Sequence, residues 1–145
     1  MISSVLVVCV GNICRSPIGE RMLAQTLPAL RVESAGINAL VGNPASQHSV
    51  DIAAENGISL DGHVSRQFTS EIAADFDLIL ALEKGHIKVI AEQAPEARGK
   101  TMLFGHWMDG KDIPDPYGKS REYYLAVFKQ IREASEGWIA KLGST

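Results

Sequence analysis

The chain has 145 residues, 46% hydrophobic and 21% charged, with a formal net charge of −3. That is an ordinary globular composition, so one domain over residues 1–145 is expected, long enough to bury about two-thirds of its unfolded surface. The mildly acidic balance speaks against nucleic-acid or membrane-surface binding, and no apolar run approaches the ~20 residues of a membrane span.

Taken in chain order, Val5 to Val10 form a continuous apolar run rich in β-branched valine, which suits a strand buried on both faces. This apolar run is short and lacks a basic region before it and a cleavage site after it, so it is not read as a signal peptide, and a cytoplasmic chain is expected. Two cysteines give no disulfide framework there. Ser16-Pro17 predicts a helix start, with serine as the cap and proline at the first helical position. Arg31 to Ser34 reads as a second strand, and 35–44 as a loop broken by Gly36, Gly42 and Asn43-Pro44. Ala45 to Asn56 is predicted helical, ended by Gly57. Phe76 to Leu82 is another buried strand, Lys84 to Gln93 a helix, and Thr101 to Phe104 a fourth strand. The stretch GHWMDGKDIPDPYGK, 105–119, is a loop rich in Gly, Pro and Asp. The last segment, Ser120 to Leu142, is a long helix whose Tyr124, Phe128, Ile131 and Trp138 share a core-facing stripe.

Strands alternating with helices imply an α/β fold: a three-layer αβα arrangement with a four-stranded parallel sheet and helices on both faces. Ligands of such sheets bind at the carboxyl ends of the strands. The loop after the first strand is therefore the expected phosphate-binding site, and it reads CVGNICRSP, residues 9–17.

Five residues separate Cys9 from Arg15. A loop from a strand to a helix N-terminus can turn its N–H groups inward and form a nest for an anion, with phosphate the usual guest. Val10, Gly11, Asn12, Ile13, Cys14 and Ser16 would line it. Gly11 permits unusual backbone angles, and Arg15 offers a planar fork that matches two phosphate oxygens. Cys9 would lie at the floor, where these donors favour its thiolate, a nucleophile for phosphoryl transfer. Asn12 is either a turn residue or a pin for the loop. Ser16 is a helix cap, a donor to the thiolate, or both. The pattern is not an ATP-binding GxxxxGK[ST] loop. Two cysteines with four residues between them, without further ligands nearby, do not make a metal site.

Cleaving a phosphate ester also needs an acid for the leaving oxygen. The loop 105–119 supplies Asp109, Asp112 and Asp115, which lack the pattern of a calcium loop. Asp115 stands between two prolines, which stiffen its backbone.

CVGNICRSP together with DPY, 115–117, resembles the low-molecular-weight protein tyrosine phosphatases. The resemblance continues through VESAG (32–36), GNP (42–44), HVSRQ (63–67), FDLIL (76–80) and RGKTMLFGHW (98–107). LVGNP and KTMLFGHW look most like the bacterial branch paired with tyrosine autokinases of capsule and exopolysaccharide export. The resemblance implies Cys9 as nucleophile, Arg15 as phosphate clamp and Asp115 as acid and then base. Asn12, Ser16 and His63 would hold the loop. Cys14 would be a redox partner of Cys9, with a space-filling role as the alternative. Tyr117 and Leu40 would wall the cleft. Many members carry an aromatic residue near Leu40, and its absence here fits the bacterial branch. The implied substrate is a phosphotyrosine protein, with a membrane tyrosine autokinase as partner. No cofactor, metal, nucleic acid or membrane insertion is expected, and a monomer is.

Three rivals share parts of the pattern. Thioredoxin-coupled arsenate reductases need further cysteines after Cys14, and the chain has none. Phosphocysteine carriers of sugar transport must protect the adduct from water, which Arg15 with Asp115 would not. A phosphotyrosine-binding module would usually have lost the nucleophile or the acid.

Overall fold

The computed structural model describes residues 1–143. Four parallel strands form one sheet in the order β2-β1-β3-β4: β1 Ser4–Cys9, β2 Arg31–Gly36, β3 Leu78–Ala81 and β4 Thr101–Leu103. Among the described residues five helices accompany them: α1 Ser16–Thr26, α2 Gln47–Glu55, α3 Ser70–Ala74, α4 Lys84–Gln93 and α5 Arg121–Leu142, with a 3-10 segment at Pro95–Lys100.

The β1 sequence alternates between two apolar cores, as a strand covered on both faces must. Val5, Val7 and Cys9 face a core built from α1, α2 and α5, with Met22, Ile52, Phe128 and Trp138. Leu6 and Val8 face the other core, with Phe68, Phe76, Ile90 and Ala97. The same alternation splits β3, with Leu78 and Leu80 on one side and Ile79 and Ala81 on the other. Full burial of each Val, Leu, Ile, Phe or Met among them contributes about 1.5–3 kcal/mol. The α5 stripe docks as its spacing requires: Tyr124, Phe128, Ile131 and Trp138 are all buried, and Trp138 Nε1 donates to the Phe104 carbonyl at 2.8 Å.

Several boundaries differ from the sequence expectation for local reasons. Val10 leaves the sheet, because its carbonyl accepts from Asn38 in the next loop. β2 runs on to Gly36, which pairs with Cys9. α2 begins at Gln47, because Ser46 before it is held extended with its N–H on the Ile13 carbonyl. β3 is shorter than Phe76–Leu82, as Asp77 N–H donates to Ser4 Oγ. α5 starts at Arg121, capped by Ser120 Oγ accepting from Tyr123 N–H. α3 spans only Ser70–Ala74, too short to show a helical period, and rests on Thr69 Oγ1 accepting from Ile72 N–H.

Strand order reverses direction at β1, with β2 on one side and β3 on the other. A crevice opens at the carboxyl ends of the strands at such a switch point. The loops after β1, β3 and β4 all end there, and they carry the chemistry.

Candidate active site

Residues 10–15 connect β1 to α1, and every carbonyl from Cys9 to Cys14 accepts a hydrogen bond from outside the loop. Ile37, Asn38, Leu40 and Ser46 donate their N–H groups to the carbonyls of Cys9, Val10, Gly11 and Ile13 at 3.0, 3.0, 3.1 and 2.8 Å. Ser65 Oγ and His63 Nε2 lie 2.8 and 2.6 Å from the Asn12 carbonyl, and Ser49 Oγ donates to Cys14 O at 3.0 Å. A carbonyl only accepts, so His63 carries a proton on Nε2. In a planar trans peptide the N–H points opposite to the C=O. Carbonyls fixed outward therefore turn the amides inward, and the positive end of α1 adds to them. Asn12 makes the turn at φ +60, a left-handed conformation that asparagine tolerates better than most residues.

The Asn12 side chain orders the floor. Its Nδ2 donates to Ser16 Oγ at 2.8 Å and to Ser34 Oγ at 3.0 Å, while Oδ1 accepts from Arg66 N–H at 3.0 Å. Ser34 in turn donates to Glu20 at 2.5 Å. Ser16 Oγ, already accepting from Asn12, lies 2.9 Å from Cys9 Sγ and has its one hydrogen left for the sulfur. A donor there stabilises negative charge on Cys9. Ser16 is thus not the helix cap that its place before Pro17 suggests. Arg15 precedes the helix without a side-chain cap, and the hydroxyl serves the cysteine instead.

Arg15 is 1% exposed, and its Nη1 is doubly bound, to Glu83 Oε2 at 2.5 Å and to the Ile113 carbonyl at 2.7 Å. Nε has no partner among the described residues. Nη2 stands 3.8 Å from Asp115 Oδ2. The Nε–Nη2 edge thus keeps two parallel donors, the geometry that grips two oxygens of a tetrahedral anion.

A cleft of about 220 Å³ opens above this floor, lined by Cys9, Val10, Gly11, Ile13, Cys14, Arg15, Asn38, Leu40, Asp115 and Tyr117. Leu40 and Tyr117 stand at its mouth, 42% and 61% exposed. The Asp115 carboxylate accepts from Tyr117 N–H at 3.0 Å, which fixes it at the rim. Asp112 is engaged elsewhere. It accepts from Lys84 N–H at 2.8 Å and satisfies a free donor at the start of α4. Cys14 Sγ lies 3.5 Å from Tyr124 OH. Burial pushes the Cys14 thiol above its ordinary 9.0 and, more than the neighbouring thiol does, the Tyr124 phenol up to about 12.

The structure brings the sequence-derived residues to one place, and adds others. Glu83 and Ser49 carry no local motif, and Ser34 and Ser65 lie in the family-like segments VESAG and HVSRQ without a role being readable from them. Each acts from a distant segment, and no spacing pattern could have indicated it. His86 is buried with Nε2 3.4 Å from Glu83 Oε2. Burial first, then the Arg15 charge, hold His86 below its ordinary 6.5.

Comparison with known proteins gives one answer. Residues 4–145 match the family model described as low molecular weight phosphotyrosine protein phosphatase. The low molecular weight protein-tyrosine-phosphatase Etp of Escherichia coli K12 is 51% identical over 140 residues, covering 97% of this chain and 95% of that protein. The solved structure of Vibrio vulnificus Wzb in complex with benzylphosphonate superposes with a TM-score of 0.96 at 49% identity, over 97% of this chain and 99% of that one. More distant is the YwlE arginine phosphatase of Geobacillus stearothermophilus, with a TM-score of 0.90 at 35% identity over 97% of this chain and 93% of that one. With the match spanning nearly all its length, the chain belongs to the low molecular weight phosphotyrosine protein phosphatase family.

Proposed function

We propose that the chain hydrolyses phosphotyrosine in proteins through a covalent phosphocysteine, with Cys9 as nucleophile, Arg15 as clamp and Asp115 as acid and base. The observation that carries this reading is the ring of outward-bonded carbonyls from Cys9 to Cys14, which turns the loop amides toward a cysteine held by Ser16. The Cys9 thiolate attacks phosphorus in line as the tyrosyl oxygen leaves and takes the proton of Asp115. The loop amides and the Nε–Nη2 edge of Arg15 hold the three equatorial oxygens, where charge is concentrated. Asp115, now ionised, takes a proton from water as that water attacks the phosphocysteine. Ser16 donates to the departing sulfur, and inorganic phosphate is released. Neither step calls on a metal or cofactor.

The walls formed by Ile13, Leu40 and Tyr117 are apolar or aromatic, which suits a phenyl ring better than a guanidinium. The benzylphosphonate carried by the Vibrio vulnificus relative has such a ring. The physiological target in this reading is a membrane tyrosine autokinase of capsule or exopolysaccharide export, dephosphorylated in the cytoplasm by a monomeric enzyme. Its support is the resemblance of LVGNP and KTMLFGHW to that branch and the kinship with Etp and Wzb. Among the described residues no helix is long and apolar enough to cross a membrane.

Hydrolysis of a phosphotyrosyl peptide and of phosphoarginine, with EDTA present, tests the reading. Turnover of the first at mildly acidic pH, its loss in Cys9→Ser, and retained peptide binding by that variant are expected. Turnover by Cys9→Ser near the wild-type rate, or a preference for phosphoarginine, would refute it.

A further inference from the structure

Arg15 has two carboxylates within reach and is held by only one. Glu83 Oε2 lies 2.5 Å from Nη1, whereas Asp115 Oδ2 lies 3.8 Å from Nη2. The two acids come from different elements. Glu83 is the residue just before α4, in the segment after β3, and Asp115 lies in the loop after β4. A guanidinium this buried is costly without a partner charge. Were Glu83 absent, Asp115 would be the nearest carboxylate able to supply one. An acid locked against a guanidinium is held ionised, and an ionised acid has no proton for a leaving group. The choice between partners also sets the orientation of Arg15. Glu83 and the Ile113 carbonyl occupy Nη1 and leave the opposite edge open.

We infer that Glu83 is a positioning residue: by holding Nη1 it keeps the Nε–Nη2 edge of Arg15 open to phosphate and keeps Asp115 out of a tight ion pair. This rests on Arg15 as clamp and Asp115 as acid. The other charged or titratable groups facing the pair are Asp112 from the Asp115 loop, His86 from α4, Cys9 and Cys14 from the phosphate loop, and Tyr124 from α5. Burial and the Arg15 charge hold His86 below its ordinary value, which disfavours it as a competing cation for Glu83. The simpler alternative is that Glu83 only neutralises a buried cation and supports the fold.

Glu83→Ala, Glu83→Gln and Asp115→Asn separate these, each assayed across pH on a phosphotyrosyl peptide and on an aryl phosphate with a good leaving group. Glu83→Ala should lose about 10-fold or more on phosphotyrosine and clearly less on the good leaving group. The basic limb of its kcat/KM profile on phosphotyrosine should move to lower pH, because Asp115 then pairs with Arg15. Glu83→Gln keeps an acceptor for Nη1 and should recover part of the loss. Equal losses on both substrates with an unmoved basic limb, or no loss at all, would overturn the inference. If Glu83→Ala does not fold, Glu83→Gln carries the test through the same two readouts, with a smaller displacement in the same direction. Asp115→Asn tells the two levels apart. If it slows both substrates alike, the acid assignment fails and takes the inference with it. If it discriminates between them and the Glu83 variants do not, the inference alone fails.

Discussion

A serine hydroxyl has one hydrogen, and at Ser16 the bond received from Asn12 Nδ2 leaves that hydrogen unused. With Cys9 as the thiolate, the 2.9 Å contact can be made only by Ser16 donating. A hydrogen bond to a charged group is worth about 1.5–3 kcal/mol, so Ser16→Ala should cost about 10- to 10²-fold in turnover. Because the donor matters most when sulfur is the leaving group, rapid-quench kinetics should show the phosphoenzyme accumulating in the variant. A loss without accumulation would mean that Ser16 acts in the first step only. Asp115→Asn should slow phosphotyrosine hydrolysis by roughly 10²-fold or more, with little effect on a good leaving group, as steady-state assays on both would reveal. Cys9 and Arg15 were legible because their partnership is written in a seven-residue segment. Asp115 was legible through the stiff PDP context together with the family resemblance. Glu83 was not, since it meets Arg15 from 68 residues away and its immediate sequence is that of any strand end.

At the scale of elements, the phosphate loop is held by its neighbours rather than by itself. The loop after β2 supplies four of its carbonyl bonds, and the segment around His63 and Ser65 supplies two more. Gly36, at the end of β2, lies where this contact is tightest. A Cβ there would run into the Val10 carbonyl and crowd Asn12. Overpacking of this kind costs about 1–3 kcal/mol. Gly36→Ala should therefore lower stability in urea by that amount and weaken inhibition by inorganic phosphate. Unchanged phosphate inhibition would show that the loop keeps its shape without these neighbours. His63 could be picked out only by resemblance, because a histidine 51 residues from its carbonyl partner leaves no spacing signal. The buried strands were readable as continuous apolar runs and the longer helices from their spacing and end signals, α4 to the residue, whereas the short α3 was not. The strand ends were not, because hydrogen bonds from other segments decide where the ladder stops.

For the whole molecule, the parallel sheet and its two apolar cores follow from period-two alternation in β1 and β3 and from the α5 stripe. The order β2-β1-β3-β4 was not readable in detail, since pairing partners are chosen by packing among distant segments. Titration of the fold gives a further test. His86 is lowered by burial, so the unfolded chain binds its proton more readily. Its contribution is present above about 6.5 and is lost as pH falls below that value. Glu33 and Asp77, both lowered, add losses below their ordinary 4.5 and 3.8. Cys14 and Tyr124 are raised, so their contributions are complete below their ordinary 9.0 and 10.0 and are lost as pH rises past them. Thermal melting across pH should therefore peak between about 6.5 and 9, and His86→Gln should flatten the fall just below 6.5. A melting temperature that declines as steeply in the variant would assign that fall to other groups.

The most direct measurement is to acid-quench the wild-type enzyme during turnover of an activated aryl phosphate and to map covalent phosphate by mass spectrometry of its peptides. Phosphate on Cys9, formed at a rate no slower than turnover, is the expected result. Turnover with no covalent phosphate at any residue, or with phosphate on another side chain, would contradict the assignment of Cys9 as the nucleophile.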